Sequence, residues 1–248
     1  MWALLLMTVL VGVQAGVHQG EIVGGHIAPP HSKPWMACLW SKEENKQVCG
    51  GFLVHKRFVM TAAHCISDLS DIRVVLGVQN WKKPEPCWQT FEKVTPYFSN
   101  YNKRSYENDI VLLKLHRSAT LDKNVKLLPL PGNDWDIPEG TVCNVAGWGK
   151  TTLNGKQSSD LREVNVTILS NEHCASALEL NHIAKTRLCA GLKGKAKDAY
   201  EYDSGGALVC DGVAEGIVSV GTEKSPPGIY TRIAKYIEWI QSTLKSAD

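Results

Sequence analysis

A chain of 248 residues, 44% of them hydrophobic, is long enough to bury a sizeable core as one large domain or two small ones. Its 27 Lys and Arg against 25 Asp and Glu give a formal net charge of only +2, and no glycine-rich phosphate loop or arginine stripe accompanies it, which excludes a nucleic-acid binder. The 21 glycines and 11 prolines punctuate short segments, so the composition favours many strands and turns over long helices.

In chain order, Met1 to Ala15 lacks acidic residues, carries the apolar run Ala3 to Val13 and ends Val13-Gln14-Ala15 with small side chains where a signal peptidase cuts. It is a secretory signal over residues 1–15, or up to 19, followed by a short polar propeptide over 16–21. The run is too short to span a bilayer and no later stretch reaches about 18 apolar residues, so the expectation is a soluble chain with no membrane anchor. From Trp35 to Leu130, Phe52-Leu53-Val54, Phe58-Val59-Met60, Val74-Val75-Leu76 and Ile110 to Leu115 are strand-like apolar runs between polar turns. Leu127 to Asp134 is a proline-bearing linker, and a second strand-rich half runs from Thr141 to Arg232. Val164, Val166 and Ile168 alternate as in a strand, which turns Asn165 of the sequon Asn165-Val166-Thr167 outward as a glycosylation site. Ile233, Ile237, Ile240 and Leu244 then follow helical spacing, predicting a terminal helix packed on the second half. The basic run Lys193, Lys195, Lys197 is read as a solvated loop ahead of a proteoglycan-binding patch.

Chemistry concentrates in Tyr202-Asp203-Ser204-Gly205-Gly206. Two glycines after a serine let the backbone approach a substrate carbonyl, but a serine hydroxyl is a weak nucleophile without a base. Thr61-Ala62-Ala63-His64-Cys65 supplies a histidine, and Asn108-Asp109-Ile110 an aspartate ahead of an apolar run. Together with Ile22-Val23-Gly24-Gly25, Gly147-Trp148-Gly149 and Gly228-Ile229-Tyr230, these blocks resemble, in order and over essentially everything from Ile22 onward, the trypsin and chymotrypsin family of serine proteases. Within it the chain is most similar to the granzymes and mast-cell proteases.

That resemblance implies an all-β fold: two six-stranded antiparallel β-barrels, over about residues 22–130 and 131–232, with the active site between them and a C-terminal α-helix over about 233–245. It implies that His64, Asp109 and Ser204 are catalytic, with Ser204 attacking the carbonyl, His64 moving its proton and Asp109 orienting the imidazole. The oxyanion donors become the backbone N–H groups of Ser204 and Tyr202, the latter standing where the family normally has glycine; loss of one such donor costs roughly 10²-fold to 10³-fold in turnover. The resemblance also implies that Asp198, six residues before Ser204, stands at the floor of the primary pocket with Gly221 and Gly228 on its walls, which would favour Lys or Arg. Cleavage after Glu21 would free an Ile22 ammonium to pair with Asp203, making the precursor nearly inactive. The competing function is a protease homologue, impaired at Tyr202, that acts by binding proteins.

The family pattern pairs Cys49 with Cys65, Cys143 with Cys210 and Cys174 with Cys189. Cys38 and Cys87 are left over: they pair with each other, or Cys38 is a buried apolar residue and Cys87 a loop thiol, the second reading being preferred. No CxxC, HExxH or clustered His/Cys set occurs in the linear sequence, and Val78 stands where calcium-binding relatives carry a carboxylate, so neither metal nor cofactor is expected. His26, His31, His55 and His116 are taken as surface or structural residues. Expected partners are protein or peptide substrates, serpin-type inhibitors and granule proteoglycans, acting on a monomer stored in a secretory granule of an immune cell or secreted.

Overall fold

The computed structural model describes residues 25–66, 71–150, 156–191, 203–220 and 227–246. Its first strands are β1 (His26–Ile27), β2 (Met36–Ser41), β3 (Lys46–His55), β4 (Phe58–Thr61), β5 (Ile72–Leu76), β6 (Gln89–Phe91), β7 (Val94–Phe98) and β8 (Val111–Leu115). After the linker come β9 (Val142–Gly147), β10 (Arg162–Ile168), α1 (Asn171–Ala177), β11 (Arg187–Gly191), β12 (Ala207–Cys210), β13 (Val213–Val220), β14 (Gly228–Arg232) and α2 (Ile237–Ser246).

Among the described residues every strand pairing is antiparallel. In the second half the order β10-β11-β14-β13-β12-β9 closes through β9–β10 into a six-stranded barrel, with β1 added outside β10. The first half is a curled sheet of order β6-β5-β2-β3-β4-β8-β7. Its edge strands β6 and β7 are consecutive in the chain with only Glu92 and Lys93 between them, so one bent segment carries both edges. Turn chemistry fixes the β12–β13 hairpin: Asp211 and Gly212 both have positive φ, 49° and 80°, as a two-residue turn matching the twist of its strands requires, and Cys210 lies opposite Val213.

Burial explains why several strands do not alternate in sequence. In β2, Ala37 and Leu39 enter the core of the first sheet with Phe52, Phe58 and Phe91, while Met36 and Cys38 on the other face join Trp148, Ala146 and Leu161 of the second half. With both faces covered, the strand is a continuous apolar run. Val74 and Leu76 against Val75 in β5 divide in the same way. A separate cluster of Val145, Val166, Leu208 and Tyr230 fills the second barrel.

The linker runs between the halves: Leu128 N–H donates to the Leu53 carbonyl at 2.8 Å, and Ala214 N–H donates to the Pro129 carbonyl at 2.9 Å. The terminal helix departs from expectation in two respects. Ile233–Tyr236 is a turn of 3₁₀-helix before α2 begins. Ile233, Tyr236 and Ile240 join the large cluster that unites the first-sheet core with Ala207, Ala214 and Ile217, so the helix seals the seam between the halves instead of resting on the second barrel alone. No helix among the described residues is long and apolar enough to cross a membrane.

Candidate active site

The histidine is fixed by three local constraints. β4 ends at Thr61, a single 3₁₀ turn over Ala63–Cys65 carries His64, and Cys65 is bonded to Cys49 on β3. From there His64 meets Asp109 twice: its backbone N–H donates to Oδ1 at 2.9 Å, and its Nδ1 lies 2.8 Å from Oδ2. Asp109 is 1% exposed, and two hydroxyls of the second half complete its shell. Ser219 Oγ donates to Oδ2 at 2.5 Å, and Thr231 Oγ1 donates to the Asp109 carbonyl at 2.9 Å. The chain turns into this position at Asn108, whose φ of 54° suits asparagine better than most residues. Tyr236 Oη donates to Asn108 Oδ1 at 3.0 Å, so the seam helix holds the turn from behind. The ring of Tyr106 lies 5.8 Å from that of His64, tilted by 57° to it.

Ser204 sits on a turn braced from both halves. Its carbonyl accepts from Gly50 N–H of β3 at 2.9 Å, and Gly205 N–H donates to the Val218 carbonyl of β13 at 2.8 Å. Thr61 Oγ1 donates to the Gly50 carbonyl at 2.7 Å, so the strand end that leads to His64 and the turn that bears Ser204 share one residue as anchor. Gly205 has φ of 84°, and a Cβ there would overlap Thr61 Oγ1 and the Gly50 carbonyl. Only glycine fits.

Beside the turn, Asp203 is fully buried and its Oδ1 accepts from Gly149 N–H at 2.7 Å. A Cβ on Gly147 or Gly149 would collide with this carboxylate, which accounts for both glycines of Gly147-Trp148-Gly149. Gly228 is buried at the start of β14 opposite Ala190. Glu21, Ile22, Asp198, Tyr202 and Gly221 lie outside the described residues, as does the Lys193 to Lys197 run. Asn165 is exposed on β10, its Oδ1 accepting from Asn144 Nδ2 at 2.9 Å. Disulfides join Cys49 to Cys65, Cys143 to Cys210 and Cys174 to Cys189. Cys38 and Cys87 are both free thiols, and burial pushes Cys38 up to about 12 against the opposing charge of Arg73.

Sequence reasoning missed Ser219, Thr231 and Tyr106. The signal for the first was available: Ser219 is a lone hydroxyl in the apolar run Ile217 to Val220, and a buried hydroxyl needs a partner. Tyr106, on an irregular loop, had none. Chemically, an imidazole fixed at Nδ1 by a buried carboxylate keeps Nε2 for proton exchange with a hydroxyl, and the braced serine turn lies against the same strand pair.

Two β-sheets with this constellation in their seam define a class of serine hydrolase, and comparison with known proteins agrees. The Trypsin family model matches residues 22–240, and the chain belongs to that family of serine proteases. Human granzyme B is 42% identical over 246 residues, covering 98% of each chain. Sheep mast cell protease 3 is 41% identical over 246 residues, covering 98% of this chain and 96% of its own. The solved structure of GrC superposes with a TM-score of 0.83 at 38% identity, covering 90% of this chain and 99% of that one.

Proposed function

We propose that the chain is a granule-stored or secreted serine endopeptidase, made as a zymogen, that hydrolyses peptide bonds after Lys or Arg through an acyl-enzyme. The observation that carries the chemistry is the double hydrogen bond of His64 to the buried Asp109 beside the doubly braced Ser204 turn. Ser204 Oγ attacks the scissile carbonyl as His64 Nε2 takes its proton. His64 returns that proton to the leaving amine, water repeats the sequence on the acyl-enzyme, and Asp109 stabilises the imidazolium throughout. The backbone N–H groups of Ser204 and Tyr202 receive the oxyanion.

Specificity after Lys or Arg rests on the spacing of Asp198 from Ser204, with Gly221 and Gly228 leaving room for a long side chain. Zymogen control rests on Glu21 preceding Ile22 and on a buried Asp203 in a recess that only Gly147 and Gly149 permit. Kinship with granzyme B and a mast cell protease supports storage in an immune-cell granule, with serpin-type inhibitors and proteoglycans as partners and a glycan on the exposed Asn165.

The test uses chain beginning at Ile22 and chain that retains Gly20-Glu21. The first is expected to cleave a lysine ester faster than a phenylalanine ester, with Ser204→Ala lowering turnover by roughly 10⁴-fold or more and Asp198→Gly erasing the lysine preference. A preference for phenylalanine in the parent chain would overturn the pocket assignment. Equal activity of the two N-termini would overturn the zymogen.

A further inference from the structure

Apart from the His64, Asp109 and Ser204 blocks, three residues of different chemistry converge where the N-terminal segment lies beside the loop that follows β5. His31 follows β1, and Glu85 and Cys87 lie on the loop between β5 and β6. His31 Nε2 is 3.0 Å from Glu85 Oε2. The Cys87 sulfur joins them, all three ligand atoms lying within 4.8 Å of one another. We propose that His31, Glu85 and Cys87 form a zinc site that ties the N-terminal segment to this loop.

The donor set selects the ion. Calcium and magnesium demand a shell of oxygens, whereas one imidazole, one thiolate and one carboxylate suit zinc with water as fourth ligand. Zinc bonds of about 2.0–2.3 Å place tetrahedral donors roughly 3.3–3.7 Å apart, so the His31–Glu85 pair opens slightly and the sulfur draws in. Coordination releases the Cys87 thiol proton to solvent.

The surroundings place these donors independently of any ion. Gln79 clamps the His31 segment, its Oε1 accepting from His31 N–H at 3.0 Å and its Nε2 donating to the Ala28 carbonyl at 3.1 Å. Prolines on both sides stiffen Glu85, and Trp88 N–H donates to its carbonyl at 3.1 Å. Cys87 Sγ lies 3.4 Å from the Gly77 carbonyl, and its backbone passes so close to Gly77 that a Cβ there would strike it. All three side chains are partly exposed, which leaves a path for an ion and a water ligand. Linear motif reading cannot find the site, because His31 and Glu85 are 54 positions apart.

The test uses the secreted full chain, stripped of metal, with Zn²⁺ titrated against a chromophoric chelator and Co²⁺ followed by absorption. One equivalent of zinc is expected, with a cobalt–thiolate charge-transfer band, and zinc raises the thermal midpoint by a few degrees. Cys87→Ser removes the band, and Cys87→Ser and His31→Gln each weaken zinc by about tenfold or more. The band discriminates against a metal on His64, since the neighbouring Cys49 and Cys65 sulfurs are consumed in their disulfide. Absence of the band, its survival in Cys87→Ser, or unchanged zinc affinity in His31→Gln would overturn the site. Metal-free melting curves identify any variant that fails to fold, and Glu85→Gln then takes its place.

Discussion

Ser219 Oγ and His64 Nδ1 both bond Asp109 Oδ2, at 2.5 and 2.8 Å, so one carboxylate oxygen inside the protein holds a residue from each half. Removing the hydroxyl leaves the buried oxygen with one donor fewer and frees the carboxylate to rotate. Ser219→Ala is therefore expected to lower kcat about tenfold with KM little changed, because the lost orientation belongs to the step in which the imidazole becomes charged. Steady-state kinetics on a lysine ester check this, and a change confined to KM would contradict it. Gly205 poses a different constraint. Its φ of 84° and the oxygens waiting at its missing Cβ make Gly205→Ala costly by about 3 kcal/mol or more, read as a lowered denaturation midpoint together with lost turnover.

At the scale of elements, the N-terminal segment docks through charge as well as through the short β1–β10 pairing. Glu163 on β10 accepts from Lys33 Nζ at 2.7 Å and Asn144 Nδ2 at 3.0 Å, with His26 Nε2 at 3.4 Å from its other oxygen. Burial opposes ionisation of Glu163, but Lys33, Asn144 and His26 together outweigh it and hold the carboxyl below the usual glutamate range. A carboxyl depressed in the folded state contributes stability above its unfolded value, and that contribution is lost as pH falls through the folded value. Glu163→Gln is expected to cost roughly 2 kcal/mol at neutral pH and to flatten the acid side of the stability profile, as thermal melts across pH would show. An unchanged acid slope would mean that the ion pair does not hold the segment. Lys33 and Glu163 are distant in sequence, and nothing local marks them as partners. What is local was legible: the apolar runs at Phe52, Phe58, Val74 and Ile110 become β3, β4, β5 and β8, because a strand buries what its own side chains offer. The helical spacing from Ile233 identifies the terminal helix, but its 3₁₀ start and its place in the seam depend on neighbours. Likewise the blocks around His64, Asp109 and Ser204 announce themselves, whereas Ser219 and Thr231 acquire meaning only when β13 and β14 are folded against Asp109.

For the molecule as a whole, the large apolar cluster takes in the first sheet, part of β12 and β13, and the terminal helix, so the first core reaches into the second half even though the second barrel keeps a cluster of its own. Unfolding is expected to be a single transition, with tryptophan fluorescence and backbone circular dichroism coinciding; two resolved midpoints would show that the second barrel melts alone. The covalent bookkeeping follows another rule. Each disulfide stays within its half, Cys49 to Cys65 in the first and Cys143 to Cys210 and Cys174 to Cys189 in the second, and both free thiols belong to the first. Between β8 and β9 the linker is the covalent connection from one half to the other, and Leu127 at its start and the preceding Lys126 are exposed. A single cut there would turn one polypeptide into two, and what kept the β3–β4 strand ends against the Ser204 turn would be a reversible association: a heterodimer whose activity falls on dilution, and which two separately produced fragments could rebuild.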